Sequence, residues 1–258
     1  MPVAEPYQPS RSPVSKVVRR ITQYRNAAPA WVQLERPVLS ITFDDCPESA
    51  VTVGAELLDS FGVKGGFYIA TALLDQTNHM GPMVTPDQIR DLVARGHEIG
   101  AHSHTHLDCF KECVECVSDD VDKNLQRLNE ICAPHKIESF AYPYGETSFA
   151  AKKCLADRFT NLRGILPGIN RGKVDRAQLR AYEADGNPDK FLLMLSALED
   201  LAADPGWMIM FTHDVSTEPS AFGMTPNQLT TLLLRARQLG IEVCPPAEAA
   251  RKAGVAPE

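Results

Sequence analysis

The sequence has no run of about 18 apolar residues, the minimum length for a membrane-spanning helix, so we expect no transmembrane segment. Its N-terminus also lacks the basic and then apolar layout of a secretory signal peptide. Seven cysteines without such a signal favour reduced thiols over a disulfide framework. We therefore expect a cytoplasmic protein.

Positive charge is scarce beyond the N-terminal segment. Residues 1–36 hold six Lys and Arg against two Asp and Glu, a net charge of +4, which leaves 20 against 31, a net charge of −11, for the rest of the chain. A body with this excess of carboxylates repels phosphate backbones. We therefore expect no nucleic acid as a partner of the main body.

The N-terminal segment, residues 1–37, is predicted to be an arm followed by a short basic amphipathic helix from Val14 to Arg25. The apolar stripe consists of Val14, Val17, Val18 and Ile21, and the basic residues beside it are Lys16, Arg19 and Arg20. Two interpretations of this pattern remain open. The helix either attaches to an acidic membrane face or a partner subunit, or it packs on the surface of its own domain.

From Val38 onward, strand-like and helix-like segments alternate. The predicted strands are Val38 to Phe43, Lys64 to Ala70, His97 to Ala101, Ile137 to Tyr142, Leu162 to Leu166, Trp207 to Phe211 and Gly240 to Cys244. The predicted helices are Ser49 to Phe61, Pro86 to Arg95, Val117 to Ile131, Ser148 to Asp157, Pro188 to Ala203 and Pro226 to Leu239. Strict alternation implies parallel strands with right-handed crossovers, in a barrel or an open doubly wound sheet. We assign residues 38–250 to this domain and 251–258 to a tail.

Polar side chains follow the C-terminal ends of several predicted strands. Asp44 and Asp45 follow the first strand, His102 the third, Tyr144 the fourth and His213 the sixth. This is the face on which (β/α) barrels build their sites. Since seven strand candidates are one short of the regular eight, the sequence predicts an α/β fold, a distorted or incomplete (β/α) barrel of about seven parallel strands.

The adjacent carboxylates Asp44 and Asp45 end a short apolar strand. Two neighbouring carboxylates repel each other and lose water on burial, so the pKa of one of them rises. A cation between them prevents this and keeps both ionised. The pattern therefore indicates a metal site. The alternative is a solvated turn in which an Asp caps the following helix.

Three histidines, His102, His104 and His106, lie within five positions. Imidazole together with carboxylate suits zinc or another first-row divalent ion. If this segment turns helically, His102 and His106 share a face, whereas an extended segment would align all three. Which histidines bind is left open at this point.

His213 ends the very apolar strand that contains Met208 to Met210. A titratable histidine in this position is suited to act as a general acid. It is equally suited to be a structural histidine held by hydrogen bonds.

Together these segments resemble the NodB-type polysaccharide deacetylases of carbohydrate esterase family 4, roughly from Val38 to Cys244, by the order and spacing of several motifs. The matching motifs are Thr42-Phe43-Asp44-Asp45, His102-Ser103-His104-Thr105-His106, Tyr142-Pro143-Tyr144-Gly145 and Phe211-Thr212-His213. The resemblance implies the NodB-homology fold. It also implies a hydrolase that removes acetyl groups from N-acetylated amino sugars.

The resemblance assigns a role to each motif residue. Asp44 would be the catalytic base, and His213 the general acid. Tyr144 would offer a backbone N–H to the oxyanion. One divalent metal, zinc with cobalt or manganese as alternatives, would be held by Asp45, His102 and His106, with His104 as a spacer.

The sequence departs from the family pattern at three points. Cys46 stands where the family usually has Gly. Ala141 stands where the family has the Arg that orients the catalytic Asp. We expect Arg163 or Arg171 to take over this role. The Asp that tunes the catalytic His has no clear counterpart, and the candidates are Asp175 and Asp185.

The expected substrate is an N-acetylated polysaccharide or lipid-linked oligosaccharide such as those of bacterial adhesive exopolysaccharides. We expect the enzyme in the cytoplasm, peripheral to the inner membrane face, where the basic helix would contact the membrane or a lipid-linked saccharide. A homo-oligomer is left open. The alternatives are a saccharide-binding pseudoenzyme and a hydrolase of a small amide or a sugar nucleotide.

A competing pattern is Cys109-x3-Cys113-x2-Cys116. Thiolates at this spacing hold the iron–sulfur cluster of radical-SAM enzymes. The position after a strand in the middle of the predicted barrel is wrong for that family, and Glu115 replaces an aromatic residue. The alternative is three reduced cysteines in a turn and at the start of a helix.

Overall fold

The central strand of the fold is β2, Val38–Asp44, in which every residue is buried. Its nearly continuous apolar sequence is typical of a strand that lies inside a parallel sheet and is covered on both faces. Strand β11, Trp207–Thr212, pairs with it in parallel from Trp207 opposite Val38 to Thr212 opposite Phe43. The computed structural model describes residues 21–256.

The other strands are β1 (Pro29–Val32), β3 (Gly66–Ile69), β4 (Thr77–Asn78), β5 (Gly81–Pro82), β6 (Glu98–Ala101), β7 (Ser139–Ala141), β8 (Asn161–Arg163), β9 (Gly172–Asp175), β10 (Tyr182–Glu183) and β12 (Glu242–Val243). The α-helices are α1 (Glu56–Ser60, preceded by a π-helical segment, Ala50–Ala55), α2 (Pro86–Ala94), α3 (Val114–Cys132), α4 (Phe149–Ala156), α5 (Pro188–Ala203), α6 (Pro226–Gln238) and α7 (Pro246–Lys252). Every helix and strand predicted from Val38 onward is present, with ends shifted by at most three residues.

The main sheet has the strand order β10-β11-β2-β3-β6-β7-β8, and β12 pairs with the start of β2. All of these pairings are parallel. The chain just before β10 also bonds to β8 and the residues after it, through Leu179 N–H to Leu162 O, Gly164 N–H to Leu179 O and Ala181 N–H to Leu166 O. The sheet therefore curls round into the distorted parallel barrel that the sequence predicts.

Packing contacts extend past both ends of the proposed domain, residues 38–250. Strand β1 pairs antiparallel with β9 and buries Val32. At the other end, α7 runs through residue 250 and buries Ala249 and Ala250. Sequence patterns missed β1 and β9 because a four-residue strand with one buried side chain has no clear periodicity. The packed domain therefore includes residues 29–32 and all of α7.

Most of the predicted basic helix, and the arm before it, lies outside the described residues. Its last part, residues 21–24, is helical. This end of the segment is held by the buried Lys152, whose ammonium donates to Thr22 O and Arg25 O at 2.9 and 3.0 Å and pairs with Asp175 at 2.8 Å. Among residues 21–256, no helix has the length and apolar character needed to cross a membrane.

The two faces of the barrel strands differ in polarity because side chains alternate along a strand. Leu39, Ile41 and Phe43 of β2 join the large apolar core that includes the helices. The alternate residues, Ser40, Thr42 and Asp44, are buried on the other face. The barrel interior therefore contains polar groups, and it ends at the carboxylate of Asp44.

Candidate active site

Asp45, His102 and His106 converge just beyond the C-terminal ends of β2 and β6, which are both neighbours of β3. Asp45 Oδ1 lies 3.3 Å from His106 Nε2 and 3.6 Å from His102 Nε2. The possible ligand atoms of the three residues all lie within 4.8 Å of one another. Two nitrogens and one oxygen therefore face a common point.

Both imidazoles are suited to bind a metal. Burial lowers the pKa of His102 and of His106 to about 4, so both rings are neutral at pH 7. The carbonyl of Ala141 lies 2.8 Å from His102 Nδ1, which places the proton on Nδ1 and leaves the Nε2 lone pair facing Asp45. A hydrogen bond on the far ring nitrogen is the usual way in which a histidine ligand is oriented.

Asp45 supplies the observation that tests whether a cation fits. Its Oδ1 is buried and accepts no hydrogen bond from any residue that the structure describes. Burial raises the pKa of Asp45 and the neighbouring Asp44 raises it further, although His102, His213 and His79 act in the opposite direction. A divalent ion would satisfy this oxygen and keep the carboxylate charged, and an N2O donor set is one that zinc accepts. The residues present therefore fit a metal.

The loop 102–106 is neither helical nor fully extended. Ser103 and His106 have φ values of 59° and 57°. Asp120 of α3 holds the loop, since its Oδ1 accepts from the N–H of His104 at 2.7 Å and from that of Thr105 at 3.1 Å. His104 Nδ1 meets Thr71 Oγ1 at 2.8 Å. His102 and His106 therefore come together while His104 has a different partner, as expected of a spacer.

Left-handed backbone is concentrated around this site. Besides Ser103 and His106, the non-glycine residues Asp45, Cys46 and Tyr144 have φ between 57° and 61°. Such conformations cost free energy and persist where the surrounding structure enforces them, commonly at functional sites. The value of 61° at Cys46 gives a physical reason for the usual glycine there. Burial raises the pKa of the Cys46 thiol, and Asp45 and Asp44 raise it further, so the thiol stays neutral.

Asp44 is paired with Arg163. Arg163 Nη2 lies 2.5 Å from both carboxylate oxygens, and both side chains are buried. Burial alone would raise the pKa of Asp44, but the charges of Arg163, His102 and His213 outweigh it, and the pKa falls below its usual value. The guanidinium also lies 4.5 Å from the centre of the Phe211 ring. Asp44 is thus held as a buried carboxylate.

The register of β7 and β8 explains why Arg163 can replace the missing arginine. Ala141 and Arg163 are direct cross-strand partners, so their side chains leave the sheet on the same face. From this face the guanidinium of Arg163 reaches Asp44. The other candidate was wrong: Arg171 bonds to Asp200 instead, at 3.1 Å.

Tyr144 and His213 flank the metal ligands. The Tyr144 ring lies 4.3 Å from the His106 ring, measured between centroids. His213 follows β11, and its Nδ1 lies 3.2 Å from the carbonyl of Phe222. The two aspartates proposed to tune His213 are engaged elsewhere, Asp175 with Lys152 and Asp185 with Lys190. A backbone carbonyl therefore takes the place expected for a carboxylate.

The three clustered cysteines do not form a cluster-binding site. Cys113 and Cys116 are joined by a disulfide at the start of α3, which contradicts the expectation of reduced thiols for this pair. Cys109 is buried, with Sγ 3.7 Å from Leu107 O. The C-x2-C spacing places two thiols one helical turn apart, and this could have suggested the pair from sequence.

Three further residues near the site were not singled out from the sequence. They are Asp120, which holds the loop of His102 to His106, and His79 and Phe222, whose rings meet at 5.7 Å. Phe222 also lies beside His213. Only Asp120 had a sequence signal, as a polar residue at a predicted buried position of a helix.

Comparison with protein families gives one match. Residues 32–159 match the model for polysaccharide deacetylases. Among curated proteins, a gellan lyase of Bacillus sp is 24% identical in an alignment of 222 residues that covers 78% of this chain. The chain spans 8% of the length of that relative.

Several solved structures share the fold at low sequence identity. A family 4 acetyl xylan esterase from Clostridium thermocellum, in complex with a cobalt ion, has a TM-score of 0.60 and 21% identity, covering 85% of this chain and 94% of its own. The chitin deacetylase of Colletotrichum lindemuthianum has a TM-score of 0.61 and 16% identity, covering 87% and 92%. A CE4 family pseudoenzyme from Bacillus anthracis has a TM-score of 0.58 and 15% identity, covering 84% and 66%.

Proposed function

Because residues 32–159 make this chain a member of the polysaccharide deacetylase family, we propose that it removes acetyl groups from the N-acetylated amino sugars of a polysaccharide or lipid-linked oligosaccharide. The observation that carries the proposal is the convergence of Asp45, His102 and His106 beside a carboxylate, Asp44, that a buried arginine keeps ionised. A metal-ligand set next to an ionised base suits metal-assisted amide hydrolysis.

The proposed metal ligands are Asp45, His102 and His106, with zinc as the first expectation and cobalt or manganese as alternatives. When bound, the metal supplies Lewis-acid polarisation and lowers the pKa of water. The chain's own contribution is to present two neutral imidazoles and one buried carboxylate at a fixed geometry.

Asp44 is the proposed base. It accepts the proton of the attacking water at a carboxylate oxygen, and Arg163 keeps this carboxylate charged and oriented before the reaction. The pKa of Asp44, below its usual value, ensures that the base is ionised at neutral pH. In this account Arg163 is a positioning residue that does not touch the substrate.

Tyr144 and His213 complete the proposed reaction. The backbone N–H of Tyr144 donates to the oxygen that becomes negative as the acetamide carbon turns tetrahedral. His213 gives a proton from Nε2 to the departing amine, which is a poor leaving group unless protonated. Its Nδ1–H is held by Phe222 O, which fixes the ring for that transfer. The products are a free amino sugar and acetate.

The comparisons support the substrate class at a coarse level, since an acetyl xylan esterase and a chitin deacetylase share the fold. We favour amide over ester substrates because His213 is available as a proton donor to nitrogen. We further propose a cytoplasmic enzyme at the inner membrane face, with residues 14–25 contacting the membrane or a lipid-linked saccharide. That part of the proposal rests on sequence alone.

A saccharide-binding pseudoenzyme is the second candidate, because a pseudoenzyme shares this fold and Ala141 removes a familiar arginine. The Asp44–Arg163 pair favours the enzyme, since it restores the charge at the base. Hydrolysis of a small amide or a sugar nucleotide is the third candidate.

The test is acetate release from N-acetylglucosamine oligosaccharides, first with chelator and then with Zn²⁺ or Co²⁺ restored. We expect release that chelator abolishes and metal restores, and no release by Asp44→Asn at unchanged metal content. Oligosaccharide binding without acetate release at any metal would favour the pseudoenzyme. Release from a sugar nucleotide alone would favour the small-substrate hydrolase.

A further inference from the structure

The chain after β11 forms a loop that is tied to its own first residue. Asp214 is buried, and its carboxylate accepts from Ser220 N at 2.8 Å and from Ser220 Oγ at 2.5 Å. Its carbonyl accepts from Met224 N at 3.0 Å. A Cβ at position 223 would lie 2.3 Å from Asp214 Oδ1, so only Gly223 fits without displacing the carboxylate. The loop 214–224 is therefore held in one conformation.

The loop presents the carbonyl of Phe222 to the end of β11. This oxygen accepts from the backbone N–H of His213 at 3.3 Å, from His213 Nδ1 at 3.2 Å and from Thr212 Oγ1 at 3.4 Å. Three donors converge on one carbonyl, so its position is well determined. Asp214, through this carbonyl, acts on the ring of His213 without touching it.

The side chain of Phe222 has a different environment from its carbonyl. It is 39% exposed, although phenylalanine is usually buried. The ring of His79 meets it at 5.7 Å and 76°, and the His213 ring lies on it at 5.5 Å. His79, Phe222 and His213 therefore form a row of three rings, here called the aromatic row, beside the metal ligands.

The aromatic row is assembled from two separate elements. His79 is exposed and lies in the turn between β4 and β5, and Phe222 lies in the loop after β11. The chain after β5 is attached to the loop after β2, since Val84 N–H donates to Cys46 O at 3.0 Å and Met83 bridges Pro47. Both halves of the row are thus fixed relative to Asp45. Exposed aromatic groups beside a polar site are typical of ligand-binding surfaces.

We propose that Phe222 and His79 bind the sugar ring next to the one that is deacetylated, so that the enzyme acts on oligosaccharides and polysaccharides rather than on monosaccharides. This inference rests on the proposed function. The C–H face of a pyranose ring is apolar and flat enough to pack on the Phe222 ring, and the edge of His79 limits its position. The row includes His213, the group that would protonate the leaving nitrogen, so a sugar packed on Phe222 lies on the amine side of the scissile bond.

Phe222 then has two separable effects. Its side chain affects substrate binding, whereas its carbonyl positions the general acid. Phe222→Ala keeps the carbonyl, so KM for an N-acetylglucosamine tetrasaccharide should rise about tenfold while kcat changes less than twofold. Asp214→Asn loosens the carbonyl and keeps the ring, so kcat should fall about tenfold with little change in KM.

The experiment combines binding and turnover. The Kd of the tetrasaccharide is measured by calorimetry in an Asp44→Asn background, alone and with Phe222→Ala, His79→Ala or Leu193→Ala. Leu193 is the matched control, since it is a 66% exposed apolar side chain of α5. We expect Kd to rise about tenfold for Phe222→Ala, to rise less for His79→Ala, to stay unchanged for Leu193→Ala, and to recover with Phe222→Trp.

The outcomes separate this inference from the proposed function. Tetrasaccharide binding that depends on Phe222, without acetate release by the unmodified protein, would overturn the deacetylase and keep the sugar site. Acetate release that is equal for monosaccharide and tetrasaccharide and insensitive to Phe222→Ala would overturn the sugar site and keep the deacetylase. Equal Kd values for Phe222→Ala and Leu193→Ala would also overturn the sugar site.

Discussion

Replacing Arg163 by methionine should destabilise the fold strongly, because the buried carboxylate of Asp44 would lose its only guanidinium partner among the described residues. Removing one partner of a buried ion pair costs about 3–5 kcal/mol, since the other charge stays buried and uncompensated. For a chain of this size that corresponds to a fall in Tm of roughly 6–20 °C. Methionine keeps most of the side-chain volume, so the loss reports on charge rather than on a cavity.

The assay is urea unfolding followed by circular dichroism, with chelator present so that metal affinity does not contribute. Arg171→Met is the matched control, because the carboxylates of its partners Asp200 and Asp204 are 62% and 72% exposed, and such pairs contribute at most about 1 kcal/mol. Adding Asp44→Asn to Arg163→Met removes the orphaned charge and should recover part of the stability. Equal losses for Arg163→Met and Arg171→Met would refute the reasoning.

Three further changes test other parts of the structure. Burial raises the pKa of Glu98 to about 7 from 4.5, so the folded state keeps a proton that the unfolded chain loses. Between pH 4.5 and 7.5 the free energy of unfolding of the unmodified protein should therefore fall by about 3 kcal/mol relative to that of Glu98→Gln. Unfolding free energies from urea that change in parallel with pH for the two proteins would contradict this. Zn²⁺ should raise the Tm of the unmodified protein and not that of Asp45→Asn, as measured by calorimetry, and an equal shift in both would point to another site. Removing residues 1–25 should lower the Tm below that of the protein lacking residues 1–20, because Lys152 would lose the carbonyls of Thr22 and Arg25. Equal melting temperatures of the two truncated proteins would show that this contact contributes nothing.

The parts of the fold that sequence patterns predict are those in which a single local signal is strong. Strand β2 is a continuous apolar run that stops at two carboxylates, and α2 and α6 begin with Thr-Pro pairs that cap them. Strand β10 has two residues, and β1 pairs with a partner at least 140 positions away. Neither leaves a periodic pattern, since pairing of that kind depends on long-range contacts.

The candidate site divides in the same way. Asp44, Asp45, His102, His106, Tyr144 and His213 were all picked out from the sequence because their residue types and spacing are specific. Their supporting residues were harder to predict. Arg163 could be predicted only as one of two possible partners of Asp44, because the sequence does not reveal its cross-strand register with Ala141. Phe222 acts on His213 through a backbone carbonyl, which any residue could supply, so its type gives no clue.

The register of Ala141 and Arg163 also limits the order in which an ancestor could have exchanged these residues. If an arginine at 141 had been lost first, Asp44 would have passed through a stage with no counter-charge in a buried interior. If Arg163 had been gained first, two guanidiniums would have faced one carboxylate, and Asp44 would have kept a counter-charge at every stage. The second order keeps a counter-charge beside Asp44 throughout, so relatives with arginine at both positions are the remnants to expect from it. A survey that scores only the residue at 141 would set aside such lineages as inactive, although the charge had moved by no more than the distance between two strands.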